Sequence, residues 1–111
     1  MLDDPLKAER LMEGLAESVP IPVICPPVLI GTLKKRPGYD AIGARATIKA
    51  VRYMGDPGGI MCELEFGSEA EHPPAVVSIS HLIFPARHPL AREVAGYQKH
   101  RAKQLRKRTR V

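Results

Sequence analysis

One stretch of the chain, residues 47–66 (TIKAVRYMGDPGGIMCELEF), constrains the fold most because it joins two β-prone segments through a tight turn. The second segment alternates strictly, and the residues of its apolar face are Ile60, Cys62, Leu64 and Phe66. Such alternation is typical of a half-buried strand. The first segment is rich in β-formers but mixed in its alternation, and the DPGG sequence at residues 56–59 favours a turn. The stretch therefore predicts an antiparallel hairpin, in which Gly58 or Gly59 needs a positive φ.

The length of 111 residues suits one domain and is too short for two. Five aromatic residues and no Trp indicate a modest, mostly aliphatic core. The longest apolar runs fall short of a membrane span, and the acidic N-terminal region lacks the order of a signal peptide. We therefore expect a cytoplasmic protein with no membrane partner, consisting of a globular domain at residues 1–98 and a basic tail at residues 99–111 that is helical or disordered.

Helical spacing is found near both ends of the chain. Over residues 4–18, Asp4 is placed to cap a helix that begins with Pro5, and the apolar positions of one stripe are Ala8, Leu11, Met12 and Leu15. We expect this amphipathic helix to dock on the domain. A second helix is predicted from residue 89, with a docked first half and a basic second half that projects from Lys99. Arg101 interrupts the apolar stripe where docking is expected to end.

The middle of the chain, residues 28–84, is predicted to be rich in strands. Prolines force residues 20–27 to be extended, and this segment is expected to lead into an edge strand at about residues 28–33. Residues 75–84 predict another strand, whose first face holds Val77, Ile79, His81 and Ile83. The fold class is therefore α+β, with an antiparallel sheet of four to five strands. The short strands and tight turns resemble SH3-like small barrels, which is a resemblance of architecture that does not imply a function.

The net charge of +5 is unevenly distributed along the chain. From His88 to the end there are eight Lys or Arg residues and one Glu, giving +7, whereas the first 87 residues hold nine basic and eleven acidic residues, giving −2. A run of cations without carboxylates is typical of segments that bind nucleic acid or another polyanion. The excess positive charge is therefore a property of the C-terminal segment alone.

These charges define the candidate binding residues of a small accessory protein that binds RNA or DNA. The C-terminal set is Lys99, Arg101, Lys103, Arg106, Lys107, Arg108 and Arg110, and a second basic cluster is Lys34, Lys35 and Arg36. The small number of aromatics argues against a stacking platform for bases. A protein-interaction or assembly module remains the alternative, in which a partner docks on the sheet edge or the N-terminal helix and the tail only improves solubility.

The sequence does not indicate catalysis, a metal or a cofactor. Ser80 and His81 are neighbours and would point to opposite faces of a strand, so they cannot act together as nucleophile and base. The four histidines lack the spacing of a metal site, and Cys25 and Cys62 are expected to be reduced core residues. The glycines at 58 and 59 lead into a strand, whereas phosphate-binding loops lead into a helix. We therefore predict that the protein is not an enzyme.

Overall fold

The computed structural model describes residues 5–39, 42–55, 59–66 and 75–109, and the side chains of residues 5 and 107–109 lie outside this description. The fold is α+β, as predicted, and the described residues form three complete helices and one open antiparallel sheet of strand order β1-β2-β3-β4. In chain order, the elements are α1 (Pro5–Ser18), β1 (Ile21–Ile24), α2 (Pro27–Leu33), β2 (Arg45–Tyr53), β3 (Ile60–Glu65), β4 (Ala75–Ser78), a 3₁₀ turn (Ile79–His81) and α3 (Ala91–Thr109).

The N-terminal helix α1 docks on the domain through its apolar stripe. Ala8, Leu11 and Leu15 are at most 3% exposed, which confirms the predicted face. A Cβ at Gly14 would lie 3.3 Å from the Leu90 side chain, so this glycine allows α1 to approach the start of α3 closely. The cap expected at Asp4 lies outside the described residues.

Strands β2 and β3 form the predicted hairpin, and a bulge explains the mixed alternation of the first strand. Ile48 pairs with Leu64, but the next pair is Ala50 with Glu63, so Lys49 is an extra residue. An extra residue reverses the faces of every position that follows it. Ile48 before the bulge and Val51 after it therefore both contribute to the core.

Strand β3 has the predicted alternation, and its inner residues Ile60, Cys62 and Leu64 are at most 1% exposed. Before it, Gly59 has a φ of +65°, which confirms the expected backbone conformation at one of the two candidate glycines. The other candidate, Gly58, lies outside the described residues. Gly55, at the opposite end of the connection, also has a positive φ of +74°.

The strand predicted for residues 28–33 is wrong, because Pro27–Leu33 is the helix α2. The proline-rich segment before it does supply the extended strand β1, at Ile21–Ile24. Pro26 has an extended backbone at the N-cap, and Pro27 follows as the first helical residue. A proline at that position has no N–H to leave unpaired and its φ already suits a helix, so the second proline begins a helix here.

The strand predicted for residues 75–84 is confirmed only over Ala75–Ser78, and its continuation is wrong, since β4 ends at Ser78 and a 3₁₀ turn follows. The Ser78 hydroxyl accepts a hydrogen bond of 3.2 Å from the Ser80 N–H, which stabilises the change from strand to turn. The turn changes the inward positions, so Ile79 and Leu82 are buried while His81 and Ile83 are exposed.

After the turn, the chain returns to the free edge of β1. Ile83 and Ile24 exchange two backbone hydrogen bonds of 2.9 Å in an isolated antiparallel bridge. Because β2 already pairs with the other edge of β1, this bridge lies on the side of β1 away from β2. The sheet of four strands is nevertheless open in the described part of the chain.

Candidate nucleic-acid interface

The C-terminal helix α3 carries most of the candidate residues, and its docked face decides which of them reach solvent. Val94 is 1% exposed, and Tyr97 and Gln98 one turn later are half-buried. Arg101, one further turn along, is only 3% exposed. At 100° per residue these positions share one face of the helix. The docked face therefore includes Arg101, which corrects the expectation that docking ends before this residue.

Gln98 holds α3 against the 3₁₀ turn. Its side-chain amide nitrogen donates hydrogen bonds of 2.7 Å to the carbonyl oxygens of both Ile79 and Leu82. These carbonyls flank the turn, where the strand ladder has ended. One side chain thus donates to two carbonyls of the irregular segment, of which that of Ile79 also accepts a hydrogen bond from the Leu82 N–H, and it fixes the helix relative to the turn.

Arg101 and Tyr97 hold α3 against the start of β3. The Ile60 N–H donates a hydrogen bond of 3.2 Å to the Tyr97 hydroxyl. A Cβ built on Gly59 would lie 2.7 Å from both the Tyr97 hydroxyl and the guanidinium carbon of Arg101. The glycine therefore leaves the space that these two side chains fill, and the Arg101 guanidinium contacts the protein instead of projecting into solvent.

On the opposite face of α3, cationic side chains form a stripe that we call the basic stripe, consisting of Arg92, Lys99, Lys103 and Arg106. All four are exposed. Their spacings of seven, four and three residues place them within about 60° of one another, roughly opposite Val94 and Arg101. At 1.5 Å per residue the stripe is about 21 Å long. All of its members are cationic.

The other predicted binding residues are placed as follows. Lys107 and Arg108 belong to α3, but their side chains lie outside the described part, as does Arg110. Lys34, Lys35 and Arg36 are exposed at the C-terminal end of α2. Cations at a helix C-terminus are favoured by the helix dipole alone, so this second cluster has a structural explanation that Arg92, Lys99 and Lys103 of the basic stripe lack.

In the part of the chain that the structure describes, the serine and histidine side chains that were considered as catalytic candidates are not arranged as a nucleophile and base. The Ser78 hydroxyl is a cap for the 3₁₀ turn, Ser80 Oγ is buried with no hydrogen-bond partner among the described residues, and His81 is exposed. His88 Nδ1 accepts a 3.0 Å hydrogen bond from the Leu90 N–H just before α3. Among the described residues, no group of three or more His, Cys, Asp or Glu is arranged to hold a metal.

Both cysteines are free thiols in the core. Burial raises the pKa of the Cys62 thiol from 9.0 to about 12, and it raises the pKa of Cys25 as well. A raised pKa keeps a thiol protonated at neutral pH, which makes it a poor nucleophile. Both residues therefore serve as small core side chains.

Comparisons with protein families, with curated proteins and with solved structures give no match for this chain. Within the described residues, none of the helices combines the length and the apolar run needed to cross a membrane.

Sequence reasoning missed the docking roles of Gln98 and Arg101. A signal was present, because both lie at helical spacing from Val94 and Leu105, on the face that carries the apolar residues of α3. Polar residues on such a face are typically hydrogen-bonded, since burying an unpaired polar group is costly. Their partners could not be identified from spacing, because Ile79, Leu82 and Gly59 belong to other elements.

Proposed function

We propose that this protein is a small, non-enzymatic accessory protein that binds nucleic acid, RNA or DNA, through the basic stripe of α3. The observation that carries the proposal is that α3 has a docked face and, on its opposite side, an exposed cationic face. Gln98 holds one face on the 3₁₀ turn and Arg101 holds it on the start of β3, and the four exposed cations of the stripe lie on the other face. A docked helix presents its cations in a fixed row, and this lowers the entropic cost of binding a regular array of phosphates.

The docked position of Arg101 changes which residues carry the proposed binding. Lys99, Lys103 and Arg106 remain, Arg92 joins them, and Arg101 becomes a residue that positions the helix. Lys107, Arg108 and Arg110 extend the same segment of chain toward its end. We propose the cluster at residues 34–36 as a secondary contact only. If about four phosphates of a duplex are neutralised, the log–log salt slope of the binding constant will be about −3 to −4.

Two further parts of the proposal concern the architecture and the location of the protein. The bridge between Ile24 and Ile83 supports an incomplete SH3-like barrel, because it brings the chain after β4 to the free edge of β1. The two buried free thiols support a cytoplasmic location, where cysteines stay reduced.

The experiment compares two variants of equal charge. Lys99→Ser with Lys103→Ser removes two cations from the basic stripe, and Lys34→Ser with Lys35→Ser removes two from the cluster after α2. Fluorescence anisotropy with labelled RNA and DNA at two salt concentrations is expected to show a loss of tenfold or more at low salt for the stripe variant. The log–log salt slope of the stripe variant should become less steep by about two, and the control variant should lose less affinity than the stripe variant. Equal losses of affinity in the two variants would mean that binding depends on net charge alone and not on the basic stripe. The absence of binding by the wild type would refute the proposal.

The alternative function, a protein-interaction module, has one observation in its favour. In the described part of the chain β4 pairs only with β3, and Val76 on this edge strand is 49% exposed. An open edge strand can accept an additional strand from a partner. Binding of that kind depends weakly on salt, so the same titrations with a candidate partner distinguish the two functions.

A further inference from the structure

A groove with a charged rim lies between α1 and α3, next to the basic stripe. The two helices run in opposite directions, and Gly14 of α1 lies against Leu90, the residue before α3. Beyond that contact they line a cavity of about 550 Å³. A cavity of this size is within the range of ordinary small-molecule sites. Gly96 lines it, and a Cβ on Gly96 would meet no atom within 4 Å, so the absence of a side chain here keeps the groove open.

The lining of the groove combines an apolar wall with cations. Leu11 and Tyr97 supply apolar and aromatic surface, while Lys7, Arg10 and His100 bring three basic side chains to its rim. Glu93 is the one carboxylate among the lining residues. A flat, partly apolar group that is attached to an anion fits this combination of surface and charge. A nucleotide has both parts, because its base offers an aromatic surface and its phosphate an anion.

The position of the groove relative to the basic stripe favours a nucleotide within a strand over a free one. His100 on the groove is adjacent to Lys99 on the stripe, and Gly96 lies one turn before Lys99. A strand whose phosphates follow the stripe would therefore pass the mouth of the groove. Bases in a duplex are stacked and paired, so only an unpaired base can enter without first being extruded.

We propose that the groove between α1 and α3 binds one unstacked nucleotide of a single-stranded nucleic acid whose neighbouring phosphates contact the basic stripe. This inference rests on the proposed function, and it adds a preference for single strands. It needs one base site and not a row of aromatic side chains, so it agrees with the small number of aromatics in the chain. Contact of one base with an aromatic side chain is worth roughly a tenfold gain in affinity.

The test uses two probes of equal charge, a fluorescein-labelled twelve-nucleotide oligothymidylate and an abasic oligomer with the same number of phosphates. Wild-type protein is expected to bind the oligothymidylate about tenfold more tightly at the same salt concentration. Gly96→Leu fills the groove, so this preference should be lost while affinity for the abasic oligomer is kept. Gly31→Leu is the matched control, because Gly31 is also helical and exposed with open space around it, and the preference should remain.

The outcomes distinguish failure of the nucleotide site from failure of the proposed binding by the basic stripe. Equal, salt-dependent binding of both oligomers by the wild type would overturn the nucleotide site and leave the basic stripe in place, whereas binding of neither would overturn both. A preference that survives in Gly96→Leu would also overturn the site. Should that variant unfold, the amide resonances of Gly96 and His100 in the ¹⁵N-labelled wild type decide the matter. They should shift with oligothymidylate and not with the abasic oligomer, and equal responses to the two would count against the site.

Discussion

The guanidinium of Arg101 lies against the backbone of Gly59, so close that a Cβ on the glycine would be 2.7 Å from the guanidinium carbon. This relationship joins the C-terminal helix to the hairpin through a residue that reads, in the sequence, as one more cation of a basic segment. It also means that removal of residues 99–111 removes a buried contact. Such a truncation is expected to lower stability, so point substitutions on the exposed stripe test binding more cleanly.

The contact between these two residues predicts that Gly59→Ala is more destabilising than Gly55→Ala. Both glycines have a positive φ, so each substitution introduces backbone strain of about 1 kcal/mol. Only at Gly59 does the new Cβ also collide with Arg101 and Tyr97, since no atom lies within 4 Å of a Cβ at Gly55. Urea unfolding monitored by circular dichroism should show the larger loss for Gly59→Ala. Equal losses would mean that α3 does not pack on Gly59 in solution.

Substitution of Gln98 by Met is expected to destabilise the protein by about 1–3 kcal/mol. The methionine side chain has a similar length but no N–H groups, so the carbonyls of Ile79 and Leu82 each lose a side-chain donor at 2.7 Å. Lys99→Met is the control on the exposed side of the same helix, and it should change stability by no more than about 0.5 kcal/mol. Thermal unfolding of the two variants measures the difference, and a neutral Gln98→Met would exclude the anchoring role of this side chain.

The register of the hairpin predicts unequal effects at two neighbouring positions of β3. Leu64 is 1% exposed and pairs with Ile48, so Leu64→Ala should cost about 2–5 kcal/mol through lost burial and the cavity it leaves. Glu63 lies on the outer face, so Glu63→Ala should cost little. Chemical denaturation of both variants provides the measurement, and comparable losses would contradict the assignment of Leu64 to the core face of β3 and Glu63 to the outer face.

The buried Cys62 thiol predicts an alkaline loss of stability. Its pKa is 9.0 when exposed and about 12 in the fold, so between these values the unfolded chain releases a proton that the folded chain keeps. The free energy of unfolding should therefore fall with rising pH above about 9, by at most about 1.4 kcal/mol per unit from this group. Other groups titrate in the same range, so the wild type is compared with Cys62→Ala at pH 8 to 10.5. Parallel pH profiles for the two proteins would contradict this contribution.

The sequence alone determined the features that depend on short-range spacing. The turn glycine, the apolar face of β3 and the docked stripe of α1 each follow from a period of two or 3.6 residues or from the φ that a turn requires. The concentration of charge in the C-terminal segment is likewise a property of composition. These features could be predicted because neighbouring residues along the chain suffice to specify them.

Tertiary structure decided the features that depend on a distant partner. The extra residue at Lys49, for example, is defined only by the pairing of β2 with β3. Arg101 lies within a basic segment, and it is buried because Gly59, far from it in the sequence, leaves room for a guanidinium group. The cost of burying a charge depends on the atoms that surround it, and those atoms are brought together only by the fold.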